Sequence, residues 1–173
     1  ESDGTVVWKY NTGGPQRGHT GHHDLQLLSN GNILFHDSWS VTSEITLDKE
    51  ITWKHDSKGA NIHAFQRLAN GDTMIAESGI GRIVHLDKDG KITREVPLPK
   101  NGRHQTRMLE ILLNGHYPSC AENPGVVTEY DPSGKIVWEY ETNTRVFGAI
   151  RLKNGNTLIA SGSGNSILEV SPD

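Results

Sequence analysis

The residue types that could do chemistry in this sequence are few: His23, His36, His63 and His104, the single Cys120, and Arg107 with Glu122. Neutral imidazole and thiolate together suit zinc or copper, which makes His23, His36, His63 and Cys120 the candidate metal ligands. A guanidinium among imidazoles suits a small anionic ligand. His23, His63, His104, Arg107 and Glu122 form that candidate set. The spacing is long-range, with no His-x-x-x-His or Cys-x-x-Cys signature. Plain alternatives stand beside each reading: a histidine satisfied by bound water, an Arg107–Glu122 cross-strand ion pair, a buried inert thiol. No Ser-His-Asp or paired-carboxylate pattern points to a hydrolase.

Whether these residues meet depends on the elements that carry them. Asn-Gly or its equivalent precedes an apolar run four times, in SNGNILF, ANGDTMI, LNGHYPS and KNGNTLI. The glycines are Gly31, Gly71, Gly115 and Gly155, spaced 40, 44 and 40 residues apart. Asn-Gly between two strand-like runs predicts a two-residue type I′ hairpin, because that turn needs positive φ at both central residues. A second marker is an acidic turn with Gly before a Trp strand, as in EYDPSGKIVWEY. Trp8, Trp53 and Trp138 share this slot, and Arg94 fills it in the second repeat.

Each repeat reads as four short strands, and no helical periodicity competes. The last repeat supplies VFGAIRL, NTLIASG and NSILEVS, and TVVWKY at residues 5–10 has the character of its missing outer strand. Four strands per roughly 40-residue repeat is the pattern of a β-propeller blade. The expected fold is all-β: four four-stranded blades, the ring closed by the N-terminal strand completing the last one. Blade limits are about 20–57, 60–98, 104–142, and 145–173 plus 5–10. A piece of a larger ring would show the same repeats.

In such a ring the first strand of each blade lines the central channel. Its start shares a face with the end of the second strand. Counting from the hairpins places His23, His63, Arg107 and Phe147 at the first-strand starts, and His36, Ala76, Cys120 and Ala160 at the second-strand ends. A two-residue hairpin pairs Leu25 with His36, Leu109 with Cys120, and Arg107 with Glu122. The candidates then converge on one channel mouth, with His22 and His104 on flanking loops and Glu77 nearby on the other sheet face. Pro118 interrupts the ladder and predicts an irregular strand end at HYPSCAE. The tryptophans of the shared slot pack between blades, and Trp39 in HDSWSV faces solvent or a ligand.

Charge and composition exclude some partners. Net charge is −4 with both signs interspersed, and there is no basic stripe for nucleic acid. No apolar run approaches the roughly 20 residues of a membrane span. One cysteine cannot form an internal disulfide.

DPSGKIVWEY, LDKDGKI, RLANGDTMIAESG and RLKNGNTLIASGSGNSILEVSPD resemble the quinoprotein-like (PQQ-like) β-propeller repeats of secreted bacterial proteins, with arylsulfotransferase-type propellers comparable. The resemblance implies a secreted, periplasmic or cell-surface location. Quinoprotein dehydrogenases of that family have twice as many blades and a calcium-assisted site; no matching constellation occurs here, so PQQ is not expected. The first functional reading is a non-enzymatic binding or scaffold module that meets a protein or small molecule through the mouth loops, with homo-oligomers possible. The second is an arylsulfotransferase-like or other transferase or hydrolase, in which a channel His accepts the group and Arg107 stabilises its charge.

Overall fold

The computed structural model describes residues 4–12, 24–98, 105–123 and 125–173, and these contain fifteen strands and no helix. The first sheet is β1 (Leu25–Leu27), β2 (Ile33–His36), β3 (Val41–Ile45) and β4 (Ile51–Asp56). The second is β5 (Ile62–Arg67), β6 (Thr73–Glu77), β7 (Arg82–Leu86) and β8 (Ile92–Pro97). The third is β9 (Thr106–Leu109), β10 (Tyr117–Ala121), β11 (Val126–Tyr130) and β12 (Ile136–Glu141). The fourth is β13 (Val146–Arg151), β14 (Thr157–Ser161) and β15 (Ser166–Val170). Every sheet is an antiparallel meander in chain order.

Turn chemistry makes these strands, though not by the expected turn. Gly31, Gly71, Gly115 and Gly155 have φ between +81° and +91°, but the asparagines before them do not take positive φ. In the first hairpin the Gly31 amide donates to the Leu28 carbonyl at 2.9 Å and the Leu28 amide to Asn32 at 2.8 Å. That is a three-residue loop, a type I turn followed by a left-handed glycine. The Asn30 side chain serves the turn from outside by accepting the Asn32 amide at 3.0 Å. The extra residue shifts the register by one. Leu25 pairs with Phe35 rather than His36, and Leu109 with Ser119 rather than Cys120. The same shift would set Arg107 opposite Ala121 rather than Glu122, and a bulge between the Met108 and Thr106 pairs leaves it without a ladder partner. The acidic turns use the same device. The Asp87 and Asp131 carboxylates accept amides two and four residues on, and Gly90 and Gly134 take positive φ.

Pro118 also departs from expectation. It lies in β10, a central strand buried along its whole length. Its carbonyl accepts the Glu110 amide, so its missing N–H faces the same side, where the β9 ladder has already ended at Leu109.

Sheets stack face to face through three apolar clusters. Leu28, Leu34 and Trp53 of the first repeat meet Phe65, Ile75 and Val84 of the second. Ala64, Met74 and Ile83 meet Leu109, Tyr117 and Tyr130. Cys120 and Val127 meet Val146, Ala149 and Ile159. Inner sheets are therefore buried on both faces, and strands such as β6 lose the alternation of a half-exposed strand. Each fully buried Leu or Ile contributes about 1.5–3 kcal/mol.

The fourth sheet has three strands, and residues 4–12 form no strand. The segment lies instead against the first sheet. The Trp8 indole donates to the Leu47 carbonyl at 2.8 Å, and the Tyr10 ring meets Phe35 edge-on at 5.7 Å.

Candidate functional site

The starts of β5, β9 and β13 and the ends of β2, β6 and β10 share one end of the stack. At that end Glu122, just past β10, binds two arginines. The Arg107 Nε donates to its carboxylate at 2.6 Å, and the Arg107 terminal nitrogen also pairs with it. The Arg145 Nη1 approaches the other oxygen at 3.5 Å. The Gln105 side chain accepts from Arg107 at 3.0 Å, and its carbonyl accepts the Glu122 amide at 2.9 Å. Arg107 also stands 6.0 Å from the centre of the Phe147 ring. Glu122 is buried, while the Arg145 side chain is 67 % exposed and Phe147 is 46 % exposed. Two guanidiniums thus share one carboxylate, leaving a net positive charge beside a half-exposed aromatic ring.

Of the expected histidine and thiol set, His36, His63 and Cys120 fall among the described residues, and they lie at two different sheet interfaces. His36 is buried edge-on to Phe65 at 4.7 Å, and His63 meets Trp39 at 5.8 Å, both between the first and second sheets. Cys120 sits in the cluster between the third and fourth sheets, where burial pushes its thiol up to about 12. His36 and Cys120 occupy the same slot of their repeats, and that slot faces sideways into the next sheet rather than toward an axis. Among the described residues no three His, Cys, Asp or Glu side chains form a metal-holding group. His22, His23 and His104 lie outside the described residues. Glu77 is buried between His55 and Arg82, whose Nε stands 2.5 Å away. Burial raises its carboxyl, but His55, Ser57 and Arg82 outweigh that and hold it below the usual range.

At the opposite end the structure adds what sequence reasoning missed: a clasp repeated between sheets. Glu44 accepts Asn30 at 3.1 Å and Asn32 at 2.7 Å. It also pairs at 3.1 Å with Arg67 of the next sheet, which lies over Trp53. Glu129 does the same with Arg151, which lies over Trp138, and His116 adds a 2.7 Å contact. The signal was present: each such Arg stands four residues before a hairpin glycine, and each Glu nine before a Trp. Where Trp gives way to Arg94, the other partners change with it. Arg94 contacts His85 and lies 5.9 Å from the centre of the Tyr117 ring.

Burial, then the Arg94 charge, pushes His85 down to about 4 from an ordinary 6.5. The folded pKa lies below the unfolded one, so the stabilisation is complete above pH 6.5 and is lost as pH falls toward 4. Urea unfolding is expected to show a loss of about 2 kcal/mol across that window, discounted for partial solvent access. H85Q should remove the part above about pH 5.5, where ordinary carboxylates remain largely ionised. An unchanged slope in H85Q would place the pH dependence elsewhere.

The four sheets and their stacking define a β-propeller fold. No protein-family model matches the chain, and no curated protein matches it in sequence. Solved structures do resemble it. A Bacteroides caccae protein of unknown function is 20 % identical with a TM-score of 0.75, covering 94 % of this chain and 60 % of its own. A streptogramin B lyase is 18 % identical with a TM-score of 0.73, covering 91 % and 53 %. A catalytically inactive H270A virginiamycin B lyase from Staphylococcus aureus, solved with quinupristin, is 20 % identical with a TM-score of 0.72, covering 89 % and 54 %. The chain therefore spans between half and two thirds of the length of these neighbours. At such identities the likeness concerns the fold.

Proposed function

We propose that the chain is a non-enzymatic binding module of the secreted, quinoprotein-like kind, and that its ligand is a small aromatic carboxylate. The observation that carries this is the shared Glu122 carboxylate, which leaves the exposed Arg145 with spare donors, while the other arginine, Arg107, lies 6.0 Å from the centre of the half-exposed Phe147 ring two residues further along the chain from Arg145. A planar anion would take bidentate hydrogen bonds from Arg145 and rest its ring on Phe147. His23 and His104 precede β1 and β9 in the sequence, and connections on a rigid scaffold are where recognition concentrates. His63 lies one interface away and shapes the same end. The buried, weakly acidic thiol of Cys120 supports binding over nucleophilic catalysis. The lyase activity of the neighbours is not carried over, since identities of 18–20 % transfer the fold alone.

Benzoate serves as the probe, with acetate and benzylamine as controls. Benzoate is expected to bind saturably, acetate more weakly, and benzylamine not at all. R145A should weaken benzoate at least fivefold, about 1 kcal/mol, without changing the thermal midpoint, because Arg145 is exposed. No saturable benzoate binding by titration calorimetry, or equal binding by R145A, defeats the assignment.

A further inference from the structure

Both ends of the sheet stack expose surface that is buried at every internal joint. Leu25 stands six residues before its hairpin glycine, as do Phe65, Leu109 and Ala149. Those three are buried against the preceding sheet, whereas Leu25 is 70 % exposed and Leu27 is 72 % exposed. On the fourth sheet Ile167 matches Ile83 of the second by ladder position. Ile83 is fully buried against the third sheet, and Ile167 is 76 % exposed. Ile150 on the same sheet is 61 % exposed. One end therefore presents an outgoing face and the other an incoming face of the same internal type.

Residues 5–10 add a second, independent sign. The Trp8 and Tyr10 rings stack at 6.4 Å and 20°. On the outer strands β4 and β12, Trp53 stacks with His55 at 6.3 Å and 20°, and Trp138 with Tyr140 at 6.3 Å and 11°. Trp53 lies beside Gly90 in the outer turn of the next sheet, and Trp8 beside Leu47 in the outer turn of the first. The segment forms no strand here, but it lies against the first sheet as β4 lies against the second. Among the described residues, meanwhile, no strand pairs with the outer edge of β15.

We propose that two copies of this chain join head to tail into one closed ring of eight sheets. The fourth sheet of each copy meets the first sheet of the other. Residues 5–10 of one copy pair along β15 of its partner, with Trp8 opposite Glu169 as Trp53 is opposite Glu44 and Trp138 opposite Glu129. A second copy is favoured over closure within one chain by curvature. The chain matches only 53–60 % of the length of its larger structural neighbours, and both end faces are exposed, so the four sheets form an open arc whose two ends each present the face the other lacks. A backbone ladder sealed over apolar faces is the standard mode of strand addition, and it leaves no bare edge. The joint is heterologous, and a two-fold rotation closes it.

The test is solution mass by light scattering at about 100 µM, a concentration at which a micromolar joint is mostly formed. The chain is expected at twice 19.1 kDa. L25D and I167D change exposed residues and should fold normally by circular dichroism, yet each should run as a monomer. An equimolar mixture of the two should regain the double mass, because one joint then has both native faces. Three results overturn the proposal: a monomeric parent chain, variants that stay dimeric, or a mixture that stays monomeric. The first would assign the two faces to closure within the chain or to further blades, and the last to a like-with-like contact.

Discussion

E129A is expected to lower the unfolding free energy by about 3–5 kcal/mol. Glu129 is 7 % exposed and receives Arg151 from the neighbouring sheet together with the His116 ring. The Arg151 guanidinium is sandwiched, lying 5.2 Å from the centre of the Trp138 ring and donating to the Gly155 carbonyl at 2.7 Å. Its side chain is only 17 % exposed, so it cannot turn to water when the carboxylate is removed. The cost is therefore that of an uncompensated buried charge, larger than the net worth of the pair. R151M in the same chain should recover a large part of the loss, since Met keeps the contact with Trp138 and removes the charge. A urea-unfolding cycle of the four proteins measures this. A loss under about 1 kcal/mol for E129A would mean that the pair is solvated like a surface bridge.

The clasp shows where sequence reading stopped. The fifteen strands inside the repeats, their order within each sheet and the four sheets were legible, because glycine-bearing turns punctuate the chain at near-constant intervals and alternating runs fill the gaps; the sixteenth strand, expected at residues 5–10, is not one in the structure. The role of Trp53 and Trp138 as packing between sheets was legible for the same reason. Register was not. Asn-Gly fits a type I′ turn of two residues and a type I turn with a left-handed glycine equally well. The choice fell to the Asn side chain, which caps the amide two residues on. One added residue moved Cys120 and His36 off the partners assigned to them. The Arg107–Glu122 contact survived the slip because an arginine side chain is long enough to span a bulge. Glu44–Arg67 and Glu129–Arg151 were missed because the fixed spacings mark each residue's slot but not the pairing, which joins residues of adjacent repeats where strand patterning is silent. Arg145, the open half of the candidate site, lies one residue before β13 and belongs to no repeated slot.

G125A is expected to cost at least about 4 kcal/mol, in the range reserved for backbone defects and core cavities. Gly125 sits at φ +92°, and a Cβ there would stand 1.8 Å from the Thr144 carbonyl oxygen and 2.8 Å from its carbon. Neither atom can rotate away, since both belong to the backbone. G31A supplies the comparison: Gly31 has φ +84° with nothing within 4 Å of the added methyl. It should cost only the left-handed strain, about 1–2 kcal/mol. The difference between the two isolates the clash. Gly125 also anchors a chain of contacts that ends at the candidate site. Its carbonyl accepts the Thr142 amide and hydroxyl, each at 2.9 Å, and Thr142 also bonds the Thr144 carbonyl at 2.8 Å. Thr144 meets the Ser161 hydroxyl at 2.6 Å, and the next residue, Arg145, donates its amide to Ser163 at 3.0 Å. Moving Thr144 to admit a methyl therefore moves Arg145 away from Glu122. Benzoate titration below the thermal midpoint of G125A should show weakened binding in the fraction still folded, while G31A, at the far end of the first sheet, binds as the parent does. A G125A protein as stable as G31A would mean that the turn between β10 and β11 can open without consequence, and that Arg145 is positioned by something other than this network.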